Sequence, residues 1–329
     1  MAEPFIVPMV AIHPNRINIY SEVNWDGVKP RRNPSKYLLG VSNAHKGKVS
    51  KVAKRKIGKA IEYLLFLAGD KRLPDTPHGK FFKFKLSFIT LTLPSVQIHS
   101  DNEIKEKCLN HFLIEARKKW NVRNYIWRAE KQKNGNLHFH ILTDRFIPWS
   151  EMRDCWNRIV NKLDYVNRYR DEMRKFHEGG FKVRAHLLKN WEYKAQIKAY
   201  KKGKANDWNS PNSTDIHAVY KIRDIKAYIS KYCTKDEQNE GLIGRLWGCN
   251  QELSSIPGAQ LVRDSQVDSA LTALFDKYNP DVYNGEYFTT CFISFDMLQD
   301  PCSAALFNAF ASFLNNHFSY NLQKYIPDG

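Results

Sequence analysis

The feature that most constrains the fold is a pair of strand-like runs at residues 124–144, joined by a short turn. The runs are NYIWRAEKQ and NLHFHILTD, and they lie about the turn residues KNGN. Aromatic and β-branched residues favour strands, and an Asn-Gly pair between two such runs is a strong signal for a β-hairpin. We therefore predict that an antiparallel hairpin forms here.

The second strand of this hairpin carries His138 and His140. Side chains two positions apart in a strand point to the same face, so the two imidazoles project side by side and can bind one metal ion. If the turn is NGN and Lys133 faces Leu137, antiparallel pairing places Glu130 directly opposite His140 on that face. A one-residue slip would turn Glu130 to the other face. Two histidines and one carboxylate make a three-ligand site with open positions, whereas an isolated His-x-His pair can also be ordinary packing.

The segments around the hairpin mix strands with amphipathic helices. Strands are predicted at residues 80–95 and 214–220, and helices near residues 50–69, 102–119, 149–163, 222–236, 265–277 and 301–319. Residues 164–212 are charged and poorly periodic, and residues 203–213 have the composition of a loop. The pattern predicts an α+β protein.

The net charge of +17 is distributed unevenly along the chain. Residues 250–329 hold three basic and nine acidic residues, so the first 249 residues carry a balance of +23. A field of this strength attracts polyanions, and nucleic acid is the usual one. Solubility alone, or attraction to a membrane surface, is the alternative.

Composition also excludes several classes of protein. No apolar stretch approaches the roughly 20 residues that span a bilayer. The six cysteines have neither zinc-finger nor disulfide-framework spacing. The first residues lack the basic start of a secretory signal. We therefore expect a cytoplasmic protein that makes no membrane contact.

The helix near residues 50–69 has a basic side. Its apolar positions fit one helical face, and five basic residues lie on the other: Lys51, Lys54, Arg55, Lys56 and Lys59. Such a face can simply be solvated, or it can contact phosphates. Because lysines cluster here, we expect this basic region to contribute to DNA binding.

A second helix, at residues 224–237, carries a polar face of unusual composition. Four residues spaced i, i+3, i+4 and i+7 fall within roughly a 100° arc: Tyr228, Lys231, Tyr232 and Lys235. A separate apolar stripe already supplies a core face: Ile222, Ile225, Ile229 and Cys233. A buried face would not carry two ammonium groups, so the tyrosines are not ordinary core residues.

Tyrosine beside lysine suits nucleophilic attack on phosphate. A phenol has a pKa near 10 and is a poor nucleophile at neutral pH, but nearby lysine charge favours the phenolate. A divalent ion on the target phosphate would stabilise the charge that develops. Attack on DNA leaves a free 3′-hydroxyl and a 5′-phosphotyrosine, which can be resealed. A second tyrosine one helical turn away would allow a second transfer.

Taken in order, these motifs resemble the HUH endonucleases, specifically the two-tyrosine initiators of rolling-circle replication. FITLT (88–92) resembles the first motif of the family, and HFH (138–140) resembles the histidine–hydrophobe–histidine motif with Glu130 as third ligand. YISKYCTK (228–235) resembles the Y-x-x-K-Y-x-x-K motif, and GRLWGC (244–249) is similar to a segment of the initiators of small single-stranded DNA bacteriophages, the microviruses. The resemblance covers about residues 80–250.

The resemblance implies the HUH endonuclease fold, with a central antiparallel sheet of about five strands flanked by helices, related to the ferredoxin-like and RRM-like plan. The histidines would lie on a central strand, with the tyrosine helix nearby. The implied division is a basic, partly helical extension that contacts DNA (1–79), the HUH domain (80–250), and an acidic, aromatic, helical C-terminal extension (251–329).

The resemblance also implies a metal-dependent, site-specific endonuclease and strand transferase that initiates DNA replication. Mg²⁺ or Mn²⁺ on the three ligands would polarise the scissile phosphate. One of the two tyrosines would cleave and stay on the 5′ end, and the other would later close the displaced strand into a circle. The lysines of the motif would hold phosphate or stabilise charge, and Lys235 is the stronger candidate because it lies between the two tyrosines on the helical wheel.

The implied partners are single-stranded and origin DNA, a host polymerase and a host helicase, since the sequence has no P-loop motif for unwinding by itself. A phage-encoded protein would act in the cytoplasm of a bacterial host. Two alternatives stay open. A two-tyrosine HUH transposase shares the order of the motifs, and a non-catalytic single-stranded DNA-binding protein would explain the charge and the aromatic residues.

Overall fold

The computed structural model describes residues 4–25, 49–69, 71–75, 80–219, 241–254 and 256–318. The chain divides into two compact units. One is Ala44–Ser254, and the other joins Met1–Asn43 to Ser255–Gly329. This division keeps the helix near residue 50 with the central segment and groups the two ends of the chain together, whereas the sequence analysis expected two separate extensions.

The described residues form an α+β structure with twelve strands and nine helices. The strands are β1 (Pro4–His13), β2 (Arg16–Trp25), β3 (Lys71–Asp75), β4 (Lys80–Phe84), β5 (Leu86–Thr92), β6 (Tyr125–Lys131), β7 (Leu137–Thr143), β8 (Thr214–Val219), β9 (Trp247–Cys249), β10 (Ala259–Val262), β11 (Val282–Asn284) and β12 (Phe288–Phe292). The helices are α1 (Lys51–Ala68), α2 (consecutive segments Asp101–Glu103, Ile104–Leu109 and Asn110–Trp120, the middle one π-helical), α3 (Trp149–Asn161), α4 (Tyr165–Phe176), α5 (Tyr193–Ala205), α6 (Gln251–Ser254), α7 (Ser265–Tyr278), α8 (Phe295–Gln299) and α9 (Ala304–Phe318).

The unit Ala44–Ser254 is built on a five-stranded sheet with the order β8-β5-β7-β6-β9, and every neighbouring pair is antiparallel. β7, which carries the two histidines, is the middle strand. The predicted hairpin and the predicted antiparallel sheet of about five strands are confirmed. The arrangement specific to HUH endonucleases stays an expectation.

The register of the hairpin differs from the predicted one. Lys131, not Lys133, lies opposite Leu137, so Glu130 pairs with His138 and not with His140. The turn is longer than NGN: the amide of Gln132 donates to the carbonyl of Asn136 at 2.8 Å. Because the shift is two residues, and strand side chains alternate with a period of two, Glu130 still lies on the histidine face.

The other face of the sheet is covered by helices. Along β7, Leu137, Phe139 and Ile141 are buried, while His138 and His140 are half-buried. The ring of Phe139 makes edge contacts with Trp127 and with Trp156 of α3. The alternation of the sequence therefore sorts the apolar side chains into the core and leaves the histidines on the opposite face.

The segment 164–212, which shows poor periodicity, contains the two helices α4 and α5. Their apolar residues do not join the main core but form an aromatic cluster around His177, with Phe176, Phe181, Tyr200 and Trp208. A small local cluster needs few apolar positions, so the helical repeat in the sequence is weak.

The unit formed by the two ends of the chain contains a second five-stranded antiparallel sheet, with the order β10-β1-β2-β12-β11. β1 pairs with β10, and β2 pairs with β12, so strands from both ends alternate in one sheet. The predicted helices of the C-terminal region are confirmed as α7 and α9. The expectation of purely helical extensions was wrong, because the strands of each end find their partners at the other end.

The predicted tyrosine helix lies outside the described residues, which stop at Val219 and resume at Gly241. None of the helices in the described ranges combines the length and the apolar character that crossing a bilayer requires.

Candidate metal centre

Three side chains of the β6–β7 hairpin converge on the half-exposed face of the sheet. Glu130, His138 and His140 each offer one ligand atom, and these three atoms lie within 4.8 Å of one another. The Nε2 atoms of His138 and His140 are each 3.5 Å from the Oε2 atom of Glu130. The structure therefore brings together the three residues that the sequence analysis selected as metal ligands.

The ring of His140 is held by two residues of β5. Its Nδ1 atom lies 3.2 Å from the hydroxyl of Thr90, and its ring stacks on Phe88 with 5.2 Å between centroids. When Nδ1 donates to the hydroxyl, the tautomer leaves the lone pair on Nε2, the atom that faces Glu130. Thr90 was not selected from the sequence, although it lies in the FITLT segment that the resemblance singled out.

The Glu130 carboxylate lies in a positively charged, mostly buried environment. Its Oε1 atom is 3.4 Å from Nε of the buried Arg128. Burial raises the pKa of this carboxyl, but the hydrogen bonds from His138 and His140 and the charges of His140 and Arg128 outweigh it, so the pKa lies well below its ordinary range. Glu130 is therefore a carboxylate at neutral pH, as a metal ligand must be.

The donor set suits a divalent ion. Two imidazole nitrogens and one carboxylate leave open coordination positions that a substrate oxygen can fill. Ligand atoms at about 2.1 Å from one Mg²⁺ ion lie at most about 4.2 Å apart, so small side-chain shifts would bring the three atoms onto one ion. Without a metal, the same cluster is a network of ion pairs, and its geometry alone is compatible with both states.

A buried aspartate connects the end of β6 to the segment that follows the predicted tyrosine helix. Asp101, at the start of α2, accepts hydrogen bonds from Nζ of Lys131 at 2.6 Å, from Nε2 of Gln97 at 2.8 Å and from the amide of Ile243 at 3.0 Å. Burial raises the pKa of Asp101, and these three donors lower it to below the ordinary value of 3.8. Lys131 directly follows Glu130 in the chain.

Lys105 reinforces this connection from the next turn of α2. Its Nζ atom donates to the carbonyl of Ile243 at 2.5 Å, and burial lowers its pKa to about 8. Both backbone groups of Ile243 are therefore fixed by side chains of α2. The sequence did not point to Asp101 or Lys105, because nothing local marks a contact across about 140 residues.

Two glycines of GRLWGC have a steric role. Gly244 has a φ of 79°, a conformation that residues with a Cβ rarely adopt, and it lies against the side chain of Asn102. A Cβ on Gly248 would lie 2.8 Å from the ring of Trp127. The two glycines therefore let this segment pass close to α2 and to β6.

The predicted nucleophiles and their lysines lie in the range 220–240, outside the described residues, and this applies to Tyr228, Lys231, Tyr232 and Lys235. The two ends of that range are described. Val219 ends the edge strand β8, and the chain resumes beside β9, the opposite edge strand. Five strands separated by about 4.8 Å place these edges about 19 Å apart.

The basic side chains of α1 are largely accessible. Lys51, Arg55 and Lys56 are exposed, and Lys54 and Lys59 are half-buried. Lys56 lines a cleft of about 300 Å³ together with Arg245 and Trp247. The cleft thus joins the basic start of α1 to the segment that follows residue 240.

Comparisons with known proteins give one informative match. A search of curated proteins finds no match. Among solved structures, "The crystal structure of a protease from Helicobacter pylori" matches at 9% identity over 73% of this chain and 79% of that chain, with a TM-score of 0.18, which carries no argument. Residues 86–237, from β5 through the predicted tyrosine helix, match the family model of the replication-associated protein ORF2, which is consistent with a Rep-like replication initiator.

Proposed function

We propose that this protein is a metal-dependent endonuclease that nicks single-stranded DNA at a replication origin and rejoins it during rolling-circle replication. The observation that carries the proposal is the convergence of Glu130, His138 and His140 within 4.8 Å on the middle strand of the sheet. The match of residues 86–237 to a replication-associated family supports a role in replication initiation.

Glu130, His138 and His140 would hold Mg²⁺ or Mn²⁺. When bound, the ion would supply Lewis acidity to a phosphate oxygen of the scissile bond. The protein side chains keep the site ready for it: Arg128 and the histidines keep Glu130 charged, and Thr90 orients His140. The half-exposed histidine face leaves room for DNA on one side of the sheet.

The nucleophile would be Tyr228 or Tyr232. Its phenolate oxygen attacks phosphorus, the bond from phosphorus to the 3′-oxygen breaks, and the 3′-hydroxyl leaves with a proton while the 5′-phosphate stays on tyrosine. Attack by a 3′-hydroxyl reverses this step and seals the strand. Lys231 and Lys235 would stabilise phenolate and phosphate charge.

The ends of the range 220–240 support this assignment. The chain leaves at one edge of the sheet and returns at the other, about 19 Å away. A 14-residue helix at positions 224–237, as the sequence predicts, is about 21 Å long and has the length to cross the sheet. A crossing on the histidine face would bring the tyrosines to the metal ligands.

The remaining partners follow from the chemistry of strand displacement. A host polymerase would extend the free 3′-hydroxyl, and a host helicase would unwind the duplex. A microvirus-like initiator would do so in the bacterial cytoplasm. Lys51, Lys54, Arg55, Lys56 and Lys59 would contact the phosphates of origin DNA, with Arg245 across the cleft from Lys56.

The test is covalent capture of DNA by the full chain. Labelled single-stranded circular DNA is incubated with Mn²⁺, and adducts are resolved on denaturing gels and mapped by mass spectrometry. We expect a metal-dependent adduct on Tyr228 or Tyr232, lost in the Tyr228→Phe/Tyr232→Phe variant and in His138→Ala/His140→Ala. The matched controls are Tyr287→Phe and His111→Ala, which alter exposed residues outside the cluster and should keep the adduct.

The DNA must carry the cognate origin, so a pool of circles from the genome that encodes the protein is used. Tight binding to such DNA without any adduct would reject the nuclease and favour a non-catalytic binding protein. An adduct on DNA ends of a mobile element, and not on an origin, would instead identify a transposase.

A further inference from the structure

We propose that Trp149 and the lysine row of α5 form a second contact surface for single-stranded DNA, separate from the metal centre. We call it the Trp149 surface and define it as Trp149, Arg153, Lys194, Lys198, Lys201 and Lys202. The ligand class rests on the proposed function, since the surface is assigned to the same DNA that the metal centre would cut.

The exposed aromatic ring at its centre is the first observation. Trp149, the first residue of α3, is 53% exposed. The guanidinium carbon of Arg153 lies 4.8 Å from the centroid of its ring, and Nζ of Lys202 lies 5.9 Å from it. An indole flanked by cations can stack on a base while the cations pair with the adjoining phosphates.

The second observation is the row of lysines on α5. Lys194, Lys198, Lys201 and Lys202 are all exposed, and at about 100° per residue they share an arc of roughly 100°. None of the four forms an ion pair within the described ranges. Like charges at i, i+4 destabilise a helix, so this row is costly without an anionic ligand.

The row points outward because the opposite side of α5 is fixed. Gln196 is buried, its Oε1 atom accepts from the amide of Arg184 at 2.8 Å, and its Nε2 atom donates to the carbonyl of Trp191 at 3.0 Å. Tyr200 packs in the aromatic cluster around His177. A rigid segment therefore presents the lysines, which lowers the entropic cost of binding.

The position of the surface fits a strand that also reaches the range 220–240. Arg153 bonds to the side chain of Asn212, just before the edge strand β8. β7 and β8 run in the same direction, so Trp149 follows the end of β7 at the end of the sheet where Val219 also lies. DNA on the Trp149 surface would thus lie near the point where the tyrosine segment begins.

The composition favours nucleic acid over a membrane. A helix that binds a bilayer surface presents a broad apolar face beside its basic one. The outward arc of α5 carries lysines, and the nearby exposed aromatic residues are only Trp149 and Tyr193 among those that the structure describes. An unpaired base, and not a duplex, is the partner that a single exposed indole can stack on.

The experiment measures binding of a fluorescein-labelled 12-nucleotide oligo-dT to the full chain by anisotropy, in EDTA. The Tyr228→Phe/Tyr232→Phe background is used, so that no nicking occurs. We expect Trp149→Ala to weaken binding roughly 5- to 100-fold. Trp149→Phe should keep affinity within about threefold, because a ring remains, while reducing the quenching of tryptophan fluorescence by DNA.

The charge row is tested by salt dependence. Lys198→Gln/Lys201→Gln should lower the slope of log affinity against log salt by about 1.4, from two lost phosphate contacts. The matched pair Arg117→Gln/Lys118→Gln removes the same charge from exposed positions of α2 and should leave the slope nearly unchanged. Tyr287→Ala, at a 79% exposed tyrosine, controls for the loss of an aromatic ring.

The proposal is overturned if Trp149→Ala binds like the parent, if both charge pairs change the slope equally, or if duplex DNA binds as tightly as oligo-dT and depends on Trp149. Loss of binding to phosphatidylserine vesicles with unchanged binding to oligo-dT would show a membrane contact instead. Covalent capture reports on the metal centre separately, so each idea can fail without the other.

Discussion

At the scale of single residues, the candidate metal centre depends on how its histidines are oriented. His140 presents Nε2 to Glu130 because its other nitrogen faces the hydroxyl of Thr90 at 3.2 Å. Groups that orient a ligand in this way raise metal affinity by fixing its tautomer and its ring. Thr90 is therefore the residue through which β5 would influence the metal.

Replacing Thr90 tests this role. We expect Thr90→Val to weaken Mn²⁺ binding about 10- to 100-fold, because the tautomer of His140 is no longer fixed. Isothermal titration calorimetry measures the affinity. The matched control is Thr92→Val: Thr92 lies on the same strand and face, but its hydroxyl donates to the carbonyl of Ser213. Equal losses in both variants would show a general effect on the strand.

At the scale of elements, Asp101 joins α2, the end of β6 and the segment after residue 240. Because its pKa lies below the ordinary 3.8 in the folded protein, the charged form stabilises the fold. This contribution is complete above about pH 4 and is lost as the pH falls through 3.8 toward the lower folded-state value.

The prediction is that Asp101→Asn lowers the free energy of unfolding by about 2 kcal/mol at pH 7, since a buried charged acceptor is lost and Lys131 is left without its partner. The difference from the parent should shrink at pH 3, as urea unfolding at both pH values would reveal. Glu103→Gln, which removes an exposed pair with Lys107, should change little. A constant difference between pH 7 and pH 3 would contradict the role of the charge.

A second prediction at this scale concerns close packing of β9 on β6. Gly248→Ala should lower stability by about 1–3 kcal/mol, because its Cβ would lie 2.8 Å from the ring of Trp127 and force it to move. Gly58→Ala, in α1, has open space around it and should be neutral or stabilising. Thermal unfolding of the two variants checks the contrast, and similar melting temperatures would contradict it.

At the scale of the whole molecule, the two units differ in how the chain enters them. Ala44–Ser254 is one continuous stretch that contains all strands of its sheet and the three candidate metal ligands. The other unit needs both ends of the chain, because β1 pairs with β10 and β2 with β12. Deleting the N-terminal residues would therefore remove two strands of that sheet, so substitutions of the α1 lysines are the cleaner test of DNA contact.

We predict that residues 44–254, expressed alone, fold and bind Mn²⁺ with an affinity within about threefold of the full chain, because the core and the ligands are contained in this stretch. Circular dichroism on heating tests folding, and calorimetry tests binding. Residues 1–43 expressed alone should stay unfolded, since an isolated hairpin is marginally stable. A 44–254 fragment without a cooperative transition would show that the ends of the chain are required.

The sequence by itself determined the features that depend on short-range periodicity. Alternation over seven residues is enough to predict that β7 buries Phe139 and turns His138 and His140 to the other face. The Asn-Gly turn predicts the hairpin and the face on which Glu130 lies. Most helices followed from their apolar repeats, whereas α4 and α5 did not, because they pack around a small cluster of their own.

Only the tertiary structure decided the features that depend on contacts between distant segments. The turn length, and with it the pairing of Glu130 with His138, depends on hydrogen bonds that composition does not encode. Thr90 reaches His140 because β5 pairs with β7, and Asp101 reaches Ile243 across about 140 residues. The joining of the two chain ends in one sheet is of the same kind, since an edge strand accepts any partner of matching register.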